Sequence, residues 1–185
     1  MSQPSTPNKP SRYQRSTNAM VGAMIVTLAA VLVFVGWRAL FRADVETEVE
    51  PVEWELSVGL AEEFGLTVVR PDALPEGWVA TSVELAASDD PRWGMGLLTD
   101  DGDFVGIRQQ DTSIEELVRT YVDDDADPGE PATVPSRVTD TWETWTDDGG
   151  DLGYSTELGD DAVLVYGSAP AEDIEEFIAT LGSTG

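Results

Sequence analysis

The side chains in this chain that could do chemistry are almost all carboxylates. There are 36 Asp and Glu but no His and no Cys, and the only lysine is Lys9. From Ala43 onward the chain therefore has no residues for a Ser-His-Asp triad, a Cys nucleophile, a Ser-Lys dyad or an imidazole-ligated zinc site. Without cysteine, a disulfide and a lipoprotein anchor are excluded as well. Carboxylate chemistry remains, since a glycosidase needs only two suitably placed acids. Yet 36 acids make close pairs inevitable, and most such pairs are solvated surface. The chain is read as a non-enzyme with no catalytic residue and no cofactor.

Metal binding is a sharper expectation. Asp123-Asp124-Asp125-Ala126-Asp127 offers alternate carboxylates at Asp123, Asp125 and Asp127, hard oxygen ligands of the kind calcium takes. An EF-hand loop needs Gly at position six and Glu at position twelve, where this sequence holds Pro128 and Val134. Acidic runs recur at Asp100-Asp101-Gly102-Asp103 and Asp147-Asp148-Gly149-Gly150-Asp151, where turn chemistry accounts for them. Asp123, Asp125 and Asp127 stand as the metal candidates, with a solvated loop as the preferred reading.

Aromatic residues are the other binding-competent group. In a strand, Trp142 and Trp145 point to opposite faces, so one is core. The other faces solvent, a partner or a covering helix, and the helix is preferred. Trp78, after the turn residues Pro75 and Gly77, is expected to pack the start of a strand.

The elements that would position these residues are short strands between turn signals, with a helix closing each half. Leu56, Leu60 and Phe64 at helical spacing predict a helix over 55–64, stopped by Gly65 before an extended Leu66–Arg70. Strands are predicted over 79–85, 93–98 and 104–109, the last two joined by an Asp-Gly hairpin turn. Thr112 or Ser113 caps a helix through Tyr121. The second half repeats the order, with strands near 138–146, 152–158 and 162–166. Its closing helix starts near Pro170 and buries Ile174, Phe177, Ile178 and Leu181. The expected fold class is α+β: an antiparallel sheet of about six strands with two to three helices, following an N-terminal transmembrane helix.

That transmembrane helix is read from Ser16–Trp37, 22 residues without a charge. At 1.5 Å per helical residue the run reaches about 33 Å, enough for a hydrocarbon core of roughly 30 Å. Lys9, Arg12 and Arg15 precede it and Arg38 and Arg42 follow, a basic bias that keeps the N-terminus cytoplasmic. The stretch exceeds a signal-peptide h-region and lacks a clean small-x-small site after it, so it reads as an uncleaved signal anchor. The expected organisation is a disordered cytoplasmic tail (1–15), the membrane helix with its interfacial flank (16–41), an acidic tether (42–53) and an extracytoplasmic domain (54–182) in the cell membrane. Ala19, Ala23 and Thr27 form a small-residue stripe able to admit a partner helix, and the oligomeric state stays open.

Residues 1–42 carry five basic groups and no acid, and 43–185 carry five Arg against 36 acids. The formal charges are thus +5 and 5 − 36 = −31, summing to the −26 of the whole chain. So acidic an outer part repels nucleic acid and anionic polymers. The acids are spread evenly, which favours solubility in a salty exterior over one cation-binding patch. Expected partners are the lipid bilayer through 16–41 and an envelope protein, with no nucleic acid.

Several segments together resemble a known family. Val68-Val69-Arg70-Pro71 followed by Leu74-Pro75-Glu76-Gly77-Trp78, then Leu98-Thr99-Asp100-Asp101-Gly102, Gln109-Gln110-Asp111, Trp142 and Val165-Tyr166-Gly167-Ser168-Ala169 resemble the actinobacterial domain-of-unknown-function 4245 family. The resemblance covers the span and nearly all of the outer domain, and the Leu-Pro-x-Gly-Trp element is its most specific part. The chain departs from the family pattern in its acidity and in Trp145, where a smaller aromatic is expected. The resemblance implies a single-pass membrane protein and supplies no catalytic residues. The function expected is a non-catalytic binding or scaffolding module at the envelope; the alternatives are a sensor signalling through its short tail and, third, a carboxylate hydrolase.

Overall fold

The computed structural model describes Met24, residues 50–88 and residues 90–184. The expected cytoplasmic tail (1–15), the expected membrane helix (16–41) apart from Met24, and residues 42–49 of the expected tether lie outside the described residues. Among the described residues no helix is long and apolar enough to cross a membrane.

Residues 48–185 form one compact unit. In chain order its elements are α1 (Trp54–Glu63), β1 (Val69–Pro71), β2 (Val79–Ala86), β3 (Arg92–Leu98), β4 (Phe104–Gln110), α2 (Ile114–Tyr121) and β5 (Asp127–Pro128). There follow β6 (Ala132–Thr133), β7 (Thr141–Thr146), β8 (Leu152–Leu158), β9 (Asp161–Gly167), α3 (Ala171–Ala179) and β10 (Leu181–Ser183). The fold is α+β, with an antiparallel eight-stranded sheet ordered β2-β3-β4-β9-β8-β7-β5. β6 is its eighth strand, pairing with β7 on the same edge as β5. A separate ribbon pairs β1 with β10, Val69 opposite Ser183 and Pro71 opposite Leu181.

Two meanders, β2-β3-β4 and β7-β8-β9, meet along β4 and β9, so the repeated order read from the sequence is present in the strands. It fails at the helices, because α2 and α3 cover opposite faces. Period-two alternation sends Trp93, Met95, Leu97, Val105, Ile107 and Val165 to one face, where α1, α3 and the ribbon close the main core. Leu117 and Val118 of α2 pack on the other face, against Leu164, Tyr166 and Trp145.

The sequence predicts a sheet of about six strands, and the described residues form ten strands, eight in the large sheet and two in the ribbon. The four additional strands, β1, β5, β6 and β10, are two or three residues long, too short to show a period. β7 begins at Thr141 instead of Val138, because the Ser136 hydroxyl accepts from the N–H groups of Val138 and Thr139, both at 3.2 Å, and holds them in a turn. α3 does bury Ile174, Phe177 and Ile178, but it ends at Ala179 and Leu181 is buried in β10. Ser113 is the α2 cap, accepting from Glu116 N at 3.2 Å.

The helix predicted over 55–64 is present as α1 and stops before Gly65. The apolar residues that mark it as a helix, Leu56, Leu60 and Phe64, lie outside the core, and Trp54, Val58 and Ala61 are the buried face. Both sets recur at helical spacing, so the pattern identifies a helix without saying which side packs.

Candidate binding surface

α1 stops at a cap that also shapes the surface beside it. Gly65 takes φ +73, its N–H donates to Glu62 O at 2.9 Å, and Leu66 N–H donates to Ala61 O at 3.0 Å. This is a Schellman closure, which needs the left-handed backbone that glycine takes without strain. Phe64, the last residue of the exposed stripe, thus leads directly into Gly65–Val68, one wall of a cleft of about 300 Å³.

The second wall of the cleft is Pro91–Trp93, and Asp111, Asp160 and Asp161 also line it. Gln109 is 4% exposed within it, and its amide is fully engaged. Nε2 donates to Thr67 O at 2.8 Å and to Asp161 Oδ2 at 2.7 Å, and Oε1 accepts from Val69 N at 2.8 Å. Trp93 Nε1 donates to Val69 O at 2.7 Å. Two buried side chains of the large sheet therefore take both backbone groups of Val69 and strap the ribbon across the core. Arg92 contributes the cleft's positive charge, and its guanidinium lies 3.8 Å from Asp90.

Leu56, Leu60 and Phe64 are 69%, 46% and 61% exposed, and Val52 just before the helix is also exposed. Among the described residues from Glu50 on, the exposed large apolar side chains all fall on this one segment. Burying such a side chain is worth about 1.5–3 kcal/mol, which the fold forgoes three times along α1. Scattered surface leucines need no explanation, but a continuous stripe does.

The residues singled out from sequence are dispersed. Asp123, Asp125 and Asp127 are all exposed; the Asp123 carboxylate accepts from Asp125 N at 2.8 Å in a turn, and Asp127 belongs to edge strand β5. Among the described residues no group of three or more acidic side chains is set to hold a metal ion. Trp142 is fully buried in the main core, and Trp145 packs in the smaller core under α2 with its Nε1 donating to Ser155 Oγ at 2.8 Å. Trp78 stacks on Phe177 with ring centroids 5.9 Å apart. Glu143 and Glu157 share a shallow groove of about 500 Å³ with Thr141 and Ser155 on the α2 side of the sheet.

Residues 12–181 match the family described as a protein of unknown function, DUF4245. The chain belongs to this family. No curated protein matches it. Among solved structures, that of MucB in complex with MucA(peri) aligns at 11% identity with a TM-score of 0.33, covering 63% of this chain and 36% of that one. The chain thus spans about a third of that protein's length, and at that likeness nothing is transferred from it.

Proposed function

We propose that this member of the DUF4245 family is a membrane-tethered, extracytoplasmic binding module that holds another protein without catalysing a reaction. The observation that supports this reading is the exposed Leu56–Leu60–Phe64 stripe on α1. A stripe of this kind costs stability and solubility in a free domain and repays both when a partner covers it. The tether comes from the uncharged run over 16–37 and the basic residues before it.

A complementation experiment separates this module from a sensor that signals through its tail. In cells lacking the chain, a variant whose residues 1–15 are replaced by Gly and Ser except for Lys9, Arg12 and Arg15, which keep the orientation of the span, should restore the wild-type phenotype. Leu56→Asp/Leu60→Asp, accumulated to the same level, should not. The reverse result, with the tail required and the stripe dispensable, would overturn the proposal.

A further inference from the structure

The geometry points to a basic amphipathic helix of a partner protein as the occupant of α1 and the adjoining cleft, with its apolar residues on the Leu56–Leu60–Phe64 stripe and a Lys or Arg side chain in the cleft. This rests on reading the stripe as a docking surface, and four features of the molecule select the occupant.

The first is space. Gly59 lies one helical turn from Leu56 on the exposed side of α1, and a Cβ built there meets nothing within 4 Å. The domain's own packing gives no reason for glycine, which costs a helix interior about 1 kcal/mol against alanine. A missing side chain beside an apolar stripe lets a partner backbone come close.

Charge is the second feature. The acids Glu53, Glu55, Glu62 and Glu63 stand on or next to α1, and the helix carries no basic residue. Helices that lie on lipid surfaces carry Lys and Arg on the polar face, so α1 has the wrong sign for a membrane. A second copy brings the same acids, together with a second outer part of formal charge −31. A partner helix with basic flanks meets both the apolar and the charged part of this surface.

Third, the cleft begins where the stripe ends. Asp111, Asp160 and Asp161 outnumber Arg92 there, and Arg92 is already beside Asp90. Its volume of about 300 Å³ suits one long side chain.

The fourth feature is the helix terminus. The C-terminal end of α1, with its partial negative charge, abuts Gly65 at the cleft wall, and no basic side chain of the last turn offsets it.

The test uses the full chain in nanodiscs of neutral phosphatidylcholine and an 18-residue fluorescent model helix of Leu and Lys, at 150 mM salt. A Lys/Ser peptide of equal charge and a Leu/Glu peptide serve as controls. The Leu/Lys helix is expected to bind at least tenfold more tightly than either control. Leu60→Asp, and separately Asp111→Asn/Asp160→Asn, should each weaken it at least tenfold. Gly59→Leu should weaken binding without lowering the melting temperature, which rules out misfolding as the cause.

Equal binding of the Lys/Ser peptide would overturn the inference in favour of unspecific charge attraction, and equal binding of the Leu/Glu peptide would remove the basic requirement. A photo-crosslinker at position 60 that yields lipid adducts or a doubled chain mass in cells would give the surface to the membrane or to a second copy. If the peptide preference is absent while Leu56→Asp/Leu60→Asp still fails complementation, the docking surface stands and only its basic partner falls.

Discussion

Gln109 donates from Nε2 to Asp161 Oδ2 at 2.7 Å, joining β4 to the start of β9 across 52 positions of sequence. The same amide also bonds Thr67 O and Val69 N, so a single side chain holds three segments around the cleft. In Gln109→Leu the Val69 N–H loses its acceptor inside the core. An unsatisfied buried group of this kind costs about 1–3 kcal/mol, and urea unfolding should show a loss in that range. A loss below about 0.5 kcal/mol would mean that water replaces the amide without penalty.

The elements legible in the sequence are those whose pattern is local. The Asp-Gly turn at 100–103, the Ser113 cap, the Pro170 start of α3 and the six long strands each follow from a few adjacent residues. What stayed hidden depends on residues distant in sequence. β1 and β10 pair across more than a hundred positions, and the role of Gln109 exists only because Val69 and Asp161 arrive beside it. Leu56, Leu60 and Phe64 were visible as a periodic set, but so were Trp54, Val58 and Ala61. Only the position of the sheet decides between the two faces. The Asp123–Asp127 run was legible as a loop, and no ligand geometry could be read from a backbone not yet placed.

Tyr154 should titrate unusually late. Burial pushes its hydroxyl up, and the hydrogen bond to Glu175 Oε1 at 3.1 Å and the charge of that carboxylate push it further, to about 12 from the usual 10. A raised value in the folded state means that the fold holds the proton more tightly than the unfolded chain does. The associated stability is fully present below about pH 10 and is lost as the pH rises through about 12. An absorbance titration of the phenolate should show one midpoint near 12 that disappears in Tyr154→Phe. Glu175→Gln should move that midpoint down towards 10, and an unmoved midpoint would remove the carboxylate as a cause.

Two glycine substitutions should have opposite signs. At Gly167, opposite Val105 in the β4–β9 pairing, an added Cβ runs into the Phe104 carbonyl, which is backbone and cannot turn aside. Gly167→Ala should cost about 1–3 kcal/mol through forced separation of the two central strands. At Gly59 the same methyl group enters open space on a helix, and Gly59→Ala should gain about 0.5–1 kcal/mol. Denaturant midpoints that move in the same direction for both variants would contradict this account of the backbone.

Salt should stabilise the domain of residues 48–185. Each of its five arginines has a carboxylate partner: Arg70 and Arg137 on Asp72, Arg92 on Asp90, Arg108 on Glu84 and Arg119 on Glu116. Arg137 also holds Asp72 below the usual carboxylate range, chiefly through its hydrogen bond. Exposed pairs of this type contribute about 0–1 kcal/mol each and weaken as ions are added. Against them stands the mutual repulsion within residues 48–185, which carry 34 acids and five Arg, formal charge 5 − 34 = −29. Raising ionic strength from 0.1 M to 1 M shortens the screening length from about 10 Å to about 3 Å, which relieves many repulsive pairs while loosening five attractive ones. The melting temperature of a fragment comprising residues 48–185 should therefore rise from low to molar sodium chloride. A flat or falling curve would mean that the five arginine pairs carry more of the stability than the sum of the charges implies.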